Sequence, residues 1–169
     1  TPTPKPTPTA IPTPTPLPQI ALLLSEIRDS LVIVQTGEHT VTGLVVGDGL
    51  TVITSAVVLD TTRITPTTFV SVLHGTMQAS TGVVQNKDTA RDLVLIRLQG
   101  RNAYPSADIS FEGLPAIGEN IVVAGYARQT LDVPSIARGV ITSLRGSLIS
   151  DLRFLETDAW VSVGSFGGP

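Results

Sequence analysis

From Leu31 onward the chain is a succession of short runs rich in valine, isoleucine, leucine and threonine. Leu31–Thr36, Val41–Val46 and Thr51–Thr54 are separated by Gly37-Glu38 and by Gly47-Asp48-Gly49, residue types that favour turns. Phe69–Leu73, Met77–Gln85, Leu93–Leu98, Ile121–Val123, Ile136–Leu144 and Phe154–Thr157 continue the pattern, and His74-Gly75-Thr76 reads as a hairpin turn. β-Branched residues lose little conformational freedom in a pleated strand, so these runs predict strands. Many short strands with little helix point to an all-β barrel or sandwich. One exception precedes them. Gln19–Ser30 places Ile20, Leu23, Leu24 and Ile27 on one face of a short amphipathic helix.

The first 18 residues are a different material. They hold eight prolines nearly alternating with six threonines, and a single charge, Lys5. Proline fixes φ and disfavours helix at the residue before it, so an extended polyproline II or disordered segment is expected. At about 3.1 Å per residue such a stretch spans some 50–60 Å. It reads equally as a stalk, with threonines open to glycosylation, or as a plain linker. Both favour a protein outside the cytoplasm, so a secreted or cell-surface location is expected. The chain begins at Thr1, so an upstream targeting or anchoring segment is expected to precede it. A second composition shift falls at Gly100–Gly118, which carries Pro105 and Pro115 between two strand-rich halves.

The full 169 residues carry a net charge of −3 with no basic run, which argues against nucleic acid and anionic membrane surfaces as partners. The chain has no cysteine, which removes thiolate metal sites, and two histidines, His39 and His74, both in expected turns. No metal and no cofactor is expected.

Thr157-Asp158-Ala159-Trp160-Val161-Ser162-Val163-Gly164-Ser165-Phe166-Gly167-Gly168-Pro169 carries the most specific signal. It resembles the nucleophile loop of trypsin-like serine proteases, particularly the bacterial HtrA/Deg branch, in which Thr-Asp-Ala is followed by Gly-Asn-Ser-Gly-Gly-Pro. Val52-Ile53-Thr54-Ser55-Ala56-Val57-Val58-Leu59 resembles the family's Leu-Thr-Ala-Ala-His-Val-Val turn. Arg91-Asp92-Leu93-Val94-Leu95-Ile96-Arg97 is similar to its Thr-Asp-Leu-Ala-Leu-Leu-Lys strand start. Thr42-Gly43-Leu44, Gly118–Gly125 and Arg138–Ser143 resemble further family strands.

That resemblance implies a double β-barrel, the first about residues 31–99 and the second about 117–169, the second appearing truncated after Pro169. It places the general-base histidine on Val57, the orienting acid on Asp92 and the nucleophile on Phe166. Valine takes no proton and phenylalanine attacks nothing, so protease chemistry is expected to be lost. Asp92 is then a remnant triad acid, expected to accept N–H bonds from Ser55 and Ala56. Gly164, Gly167 and Gly168 keep the shape of an oxyanion loop. Ser165, one place off, is expected to point away from the cleft; Phe166 is expected to plug the specificity pocket, and Trp160 to be core, ahead of its other reading as a pocket wall. Glu156 and Asp158 read as structural. The implied role is a binding or scaffolding module for extended peptides or unfolded segments. The rivals are an active serine endopeptidase with relocated catalytic residues, and a fragment without function.

Overall fold

The computed structural model describes residues 18–36, 39–56, 69–74, 79–100, 102–110, 113–127, 133–146, 153–162 and 164–169. The Thr/Pro-rich segment up to residue 17, the Gly75-Thr76 turn and Val57 lie outside the described residues. A helix, α1 (Pro18–Arg28), leads into nine strands: β1 (Leu31–Thr36), β2 (His39–Val46), β3 (Thr51–Ser55), β4 (Phe69–His74), β5 (Ala79–Asp88), β6 (Leu93–Gln99), β7 (Asn120–Gly125), β8 (Ser135–Gly146) and β9 (Arg153–Thr157). The helix starts on Pro18, a residue whose fixed φ suits a first helical turn. The two histidines are strand ends rather than turn residues: His39 opens β2 opposite Thr36, and His74 closes β4 opposite Val32.

Six strands close a barrel in the order β1-β2-β3-β6-β5-β4, every neighbour antiparallel. Closure removes the bare sheet edges that invite aggregation. Alternation decides the interior. In β6, Val94, Ile96 and Leu98 are buried while the residues between them are not. They meet Val32, Val34, Val41, Val45, Val52, Val72 and Val84 in one core of mostly valine. Each such side chain contributes about 1.5–3 kcal/mol on leaving water.

Leu31-Val32-Ile33-Val34 breaks the alternation, being buried at all four positions. Val32 and Val34 face the barrel interior. Leu31 and Ile33 face outward but are covered by Ala124 and Tyr126 from the second half, with Ile27 of α1 alongside. A strand buried on both faces must read as a continuous apolar run. The second half is a three-stranded sheet, β7-β8-β9. A bulge between Ile141 and Ser143 lets β8 change partners, pairing with β7 over residues 135–140 and with β9 over residues 141–146. Between the two halves, residues 103–107 run along the first barrel. Tyr104 N–H donates to the Gly49 carbonyl at 2.9 Å, and Ala107 bridges Val46.

Tyr126 is 2% exposed, and burial pushes its hydroxyl above the ordinary tyrosine range, with Arg28 partly opposing and Asp29 adding to the rise. The folded protein therefore favours the neutral phenol, and the unfolded chain ionises first. This group costs nothing below about pH 10 and lowers stability as pH rises above it, by at most about 1.4 kcal/mol per pH unit. Denaturant titrations between pH 9 and 11.5 should show a shallower alkaline loss for Tyr126→Phe than for the parent. Equal slopes would remove Tyr126 as the cause.

Candidate functional site

The segment from Gly164 to Pro169 lies between β2 of the barrel and β7 of the second sheet, and Thr42 holds it there. The Thr42 hydroxyl donates to the Gly164 carbonyl at 2.8 Å and accepts the Tyr126 N–H at 2.8 Å. Its own N–H donates to the Phe166 carbonyl at 3.1 Å, and its carbonyl accepts the Thr54 hydroxyl at 2.6 Å. Thr42 thus joins β2, β3, the start of the loop after β7, and the terminal segment, with no exposed surface of its own. On the β7 side, Ala124 N–H donates to the Pro169 carbonyl at 2.9 Å.

Two turns shape the segment: Ser165 N–H donates to Ser162 C=O, and Gly168 N–H to Ser165 C=O, each at 3.1 Å. Gly167 has φ +84°, a conformation side chains rarely adopt, and a Cβ there would press on the Thr42 carbonyl and lie 2.7 Å from Ser55 N. Gly125 of β7 is required by proximity instead. A Cβ there would lie 2.9 Å from Ser165 Cα.

Asp92 and this glycine loop share a crevice of about 360 Å³, lined also by Leu44, Thr54, Ser55 and Arg91. Asp92 is half-buried, with φ 56°, making it the described non-glycine residue in the left-handed region. Aspartate tolerates that region better than most side chains. Its carboxylate accepts the Ser55 hydroxyl at 2.7 Å, while its backbone carbonyl accepts the Ala56 N–H at 3.2 Å. Asp92 thus takes the expected Ala56 N–H through its backbone carbonyl, while its carboxylate takes the Ser55 hydroxyl. Ala56 immediately precedes Val57, the residue in the histidine place, which lies outside the described residues.

A larger cleft of about 720 Å³ opens on the second half, between β8 residues Ser135–Arg138 and the stretch Trp160–Ser162, with Ser165 on its wall. Three expectations change here. Trp160 is no core residue: it is 79% exposed and forms a cleft wall. Phe166 does not fill the cleft; the residue is 42% exposed, while its carbonyl accepts the Thr42 N–H. Ser165, expected to point away, lines the cleft at 6% exposure with its hydroxyl 2.9 Å from that of Ser162. Two hydroxyls paired in this way supply no base, because neither binds a proton near neutral pH.

The remaining acids are engaged separately. Glu156 pairs with Arg145 at 2.8 Å, an exposed ion pair, and Asp158 accepts the Val140 N–H at 2.7 Å. Among the described residues no cluster of three or more His, Asp or Glu is placed to hold a metal, and no helix is long and apolar enough to cross a membrane.

Thr42 and Ser162 carried no signal as site residues in the sequence. A threonine on the outer face of a barrel strand reads as solvated until the second half covers it. The family model for the trypsin-like peptidase domain matches residues 41–169, which takes in the barrel from β2 onward, Asp92, the cleft and the glycine loop. No curated protein matches the chain.

Proposed function

Because the chain belongs to the trypsin-like peptidase domain family, we propose that it is a non-catalytic member that binds extended polypeptide segments outside the cytoplasm. The carrying observation is the residue in the nucleophile place: Phe166, which is exposed and whose carbonyl bonds Thr42. Val57 in the histidine place supports the same reading. A triad works by proton transfer from hydroxyl to imidazole, with the acid fixing the ring. Losing the serine or the histidine of such a triad costs about 10⁶-fold in turnover. A cleft, by contrast, needs no chemistry to bind, and the one beside Trp160 is open and mostly apolar in its lining. The Thr/Pro-rich start supports display away from the cytoplasm.

A second reading is favoured by one observation. Ser165 lines the cleft, so a divergent serine endopeptidase would use it as nucleophile. A fluorophosphonate probe separates the two. The expected outcome is no covalent labelling of the parent chain, and labelling at position 166 in a Val57→His, Phe166→Ser double variant. Stoichiometric labelling of Ser165 in the parent would replace the binding reading with the enzymatic one.

A further inference from the structure

Strand β3 ends on a residue that departs from the family's turn. Against Leu-Thr-Ala-Ala-His-Val-Val, the chain runs Ile53-Thr54-Ser55-Ala56-Val57-Val58-Leu59. Two of its places differ in hydrogen-bonding chemistry. At position 57 valine stands for histidine, and at position 55 serine stands for alanine. The first change takes away the imidazole that would donate to Asp92. The second supplies a hydroxyl that does donate to it.

The first barrel alone builds this contact. β3 pairs with β6 in a register that sets Ser55 opposite Leu93, so the next residues, Ala56 and Asp92, also face each other. Ala56 N–H donates to the Asp92 carbonyl at 3.2 Å. The turn before Asp92 holds it from the other side. Asp88 Oδ1 accepts the N–H groups of Ala90 and Arg91 at 3.0 and 3.1 Å, and its Oδ2 takes the Arg91 guanidinium at 2.7 Å. With the Asp92 backbone fixed at φ 56°, only its side-chain torsions are left to aim the carboxylate. Ser55 is 6% exposed, and its hydroxyl meets Asp92 Oδ2 at 2.7 Å. Bonds from hydroxyls to carboxylates at this distance belong to the stronger class.

We infer that Ser55 is a positioning residue for Asp92: its hydroxyl stands in for the missing imidazole and keeps the carboxylate aimed at the end of β3 rather than at position 57. This rests on the reading that the chain is non-catalytic. A carboxylate drawn out of water is costly wherever its oxygens lack donors, and the hydroxyl supplies one. In doing so it fixes the torsion with which a triad acid sets the tautomer and orientation of its base. The site is therefore silenced at the acid as well as at the base and the nucleophile. Histidine returned to position 57 meets a carboxylate already bound to Ser55.

The imidazole introduced by Val57→His reports where the carboxylate is aimed. The parent has two histidines, His39 and His74, so the third imidazole resonance in a proton NMR titration of the full chain belongs to position 57. With Ser55 in place that resonance is expected to titrate near the ordinary histidine value of about 6.5. In Val57→His combined with Ser55→Ala it should rise by about one unit, a ten-fold gain in proton affinity, because the released carboxylate turns to the imidazolium. Ser55→Thr keeps a hydroxyl and should hold the value where serine holds it. Adding Asp92→Asn, a side chain equally at home in the left-handed region, should cancel the rise. Rates should follow the same order: a fluorophosphonate is expected to label Val57→His, Phe166→Ser about ten-fold more slowly than the same chain carrying Ser55→Ala. An introduced imidazole that titrates identically with serine, threonine and alanine at position 55 would overturn the inference and leave the non-catalytic reading standing. Labelling of Ser165 in the parent would overturn that reading, and the inference with it.

Discussion

Replacing Thr42 with valine is expected to lower the midpoint of thermal unfolding by about 6–12 °C, despite the near-identical shape of the two side chains. The exchange deletes the hydroxyl that donates to the Gly164 carbonyl and accepts the Tyr126 N–H. Both partners are buried there, and a buried polar group left without its bond costs about 1–3 kcal/mol. Two such groups give about 3 kcal/mol, and a domain of this size loses about 2–4 °C per kcal/mol. Thr42→Ser keeps the hydroxyl and gives up one methyl, a loss of about 1 kcal/mol. The order is the test: if the serine variant proves as unstable as the valine variant, the hydroxyl is not what holds the two halves together.

Gly167→Ala is expected to be comparably damaging, at about 2–5 kcal/mol. Two costs combine. A side chain at φ +84° pays about 1–2 kcal/mol for the left-handed backbone. The new Cβ also meets the Thr42 carbonyl, lies 2.5 Å from Thr54 Oγ1 and 2.7 Å from Ser55 N, and overpacking of that kind costs about 1–3 kcal/mol more. Gly118 provides the control, since its φ is +88° but a Cβ there would find nothing within 4 Å. Gly118→Ala should therefore lose only the backbone share. Equal losses measured by urea unfolding would show that crowding around Gly167 relaxes freely. A larger loss at Gly167 would locate the requirement for glycine in the contact with β2 and β3.

The strands were legible because their signals are local. The run Leu31–Thr36 coincides with β1, and Leu93–Leu98 falls one residue short of β6, since alternation and flanking turn residues depend only on near neighbours. The family was legible because the frame from Thr157 to Pro169 keeps its glycines at fixed spacing, and the family model bears that out. Directions of side chains were not. Trp160 reads as core by hydrophobicity, yet β9 ends at Thr157 and the residue stands on a cleft wall. The one-residue displacement of Ser165 from the nucleophile place was expected to turn it outward. Instead Phe166 is exposed and Ser165 lines the cleft. Thr42 and Asp92 depend on partners 122 and 37 residues away, a separation that no sequence window can sense.

The bond between Thr42 and Gly164 also sets an order of events during biosynthesis. All six strands of the barrel are complete by Gln99, so that half can close while later residues are still being added. Gly164 follows Thr42 by 122 positions, which take roughly 6–24 s to synthesise at ordinary elongation rates. Until the last of them clears the ribosome, the outward-facing apolar groups of β1 wait without the clasp that seats the second sheet on them. The nascent chain is then a closed barrel with one apolar flank still uncovered.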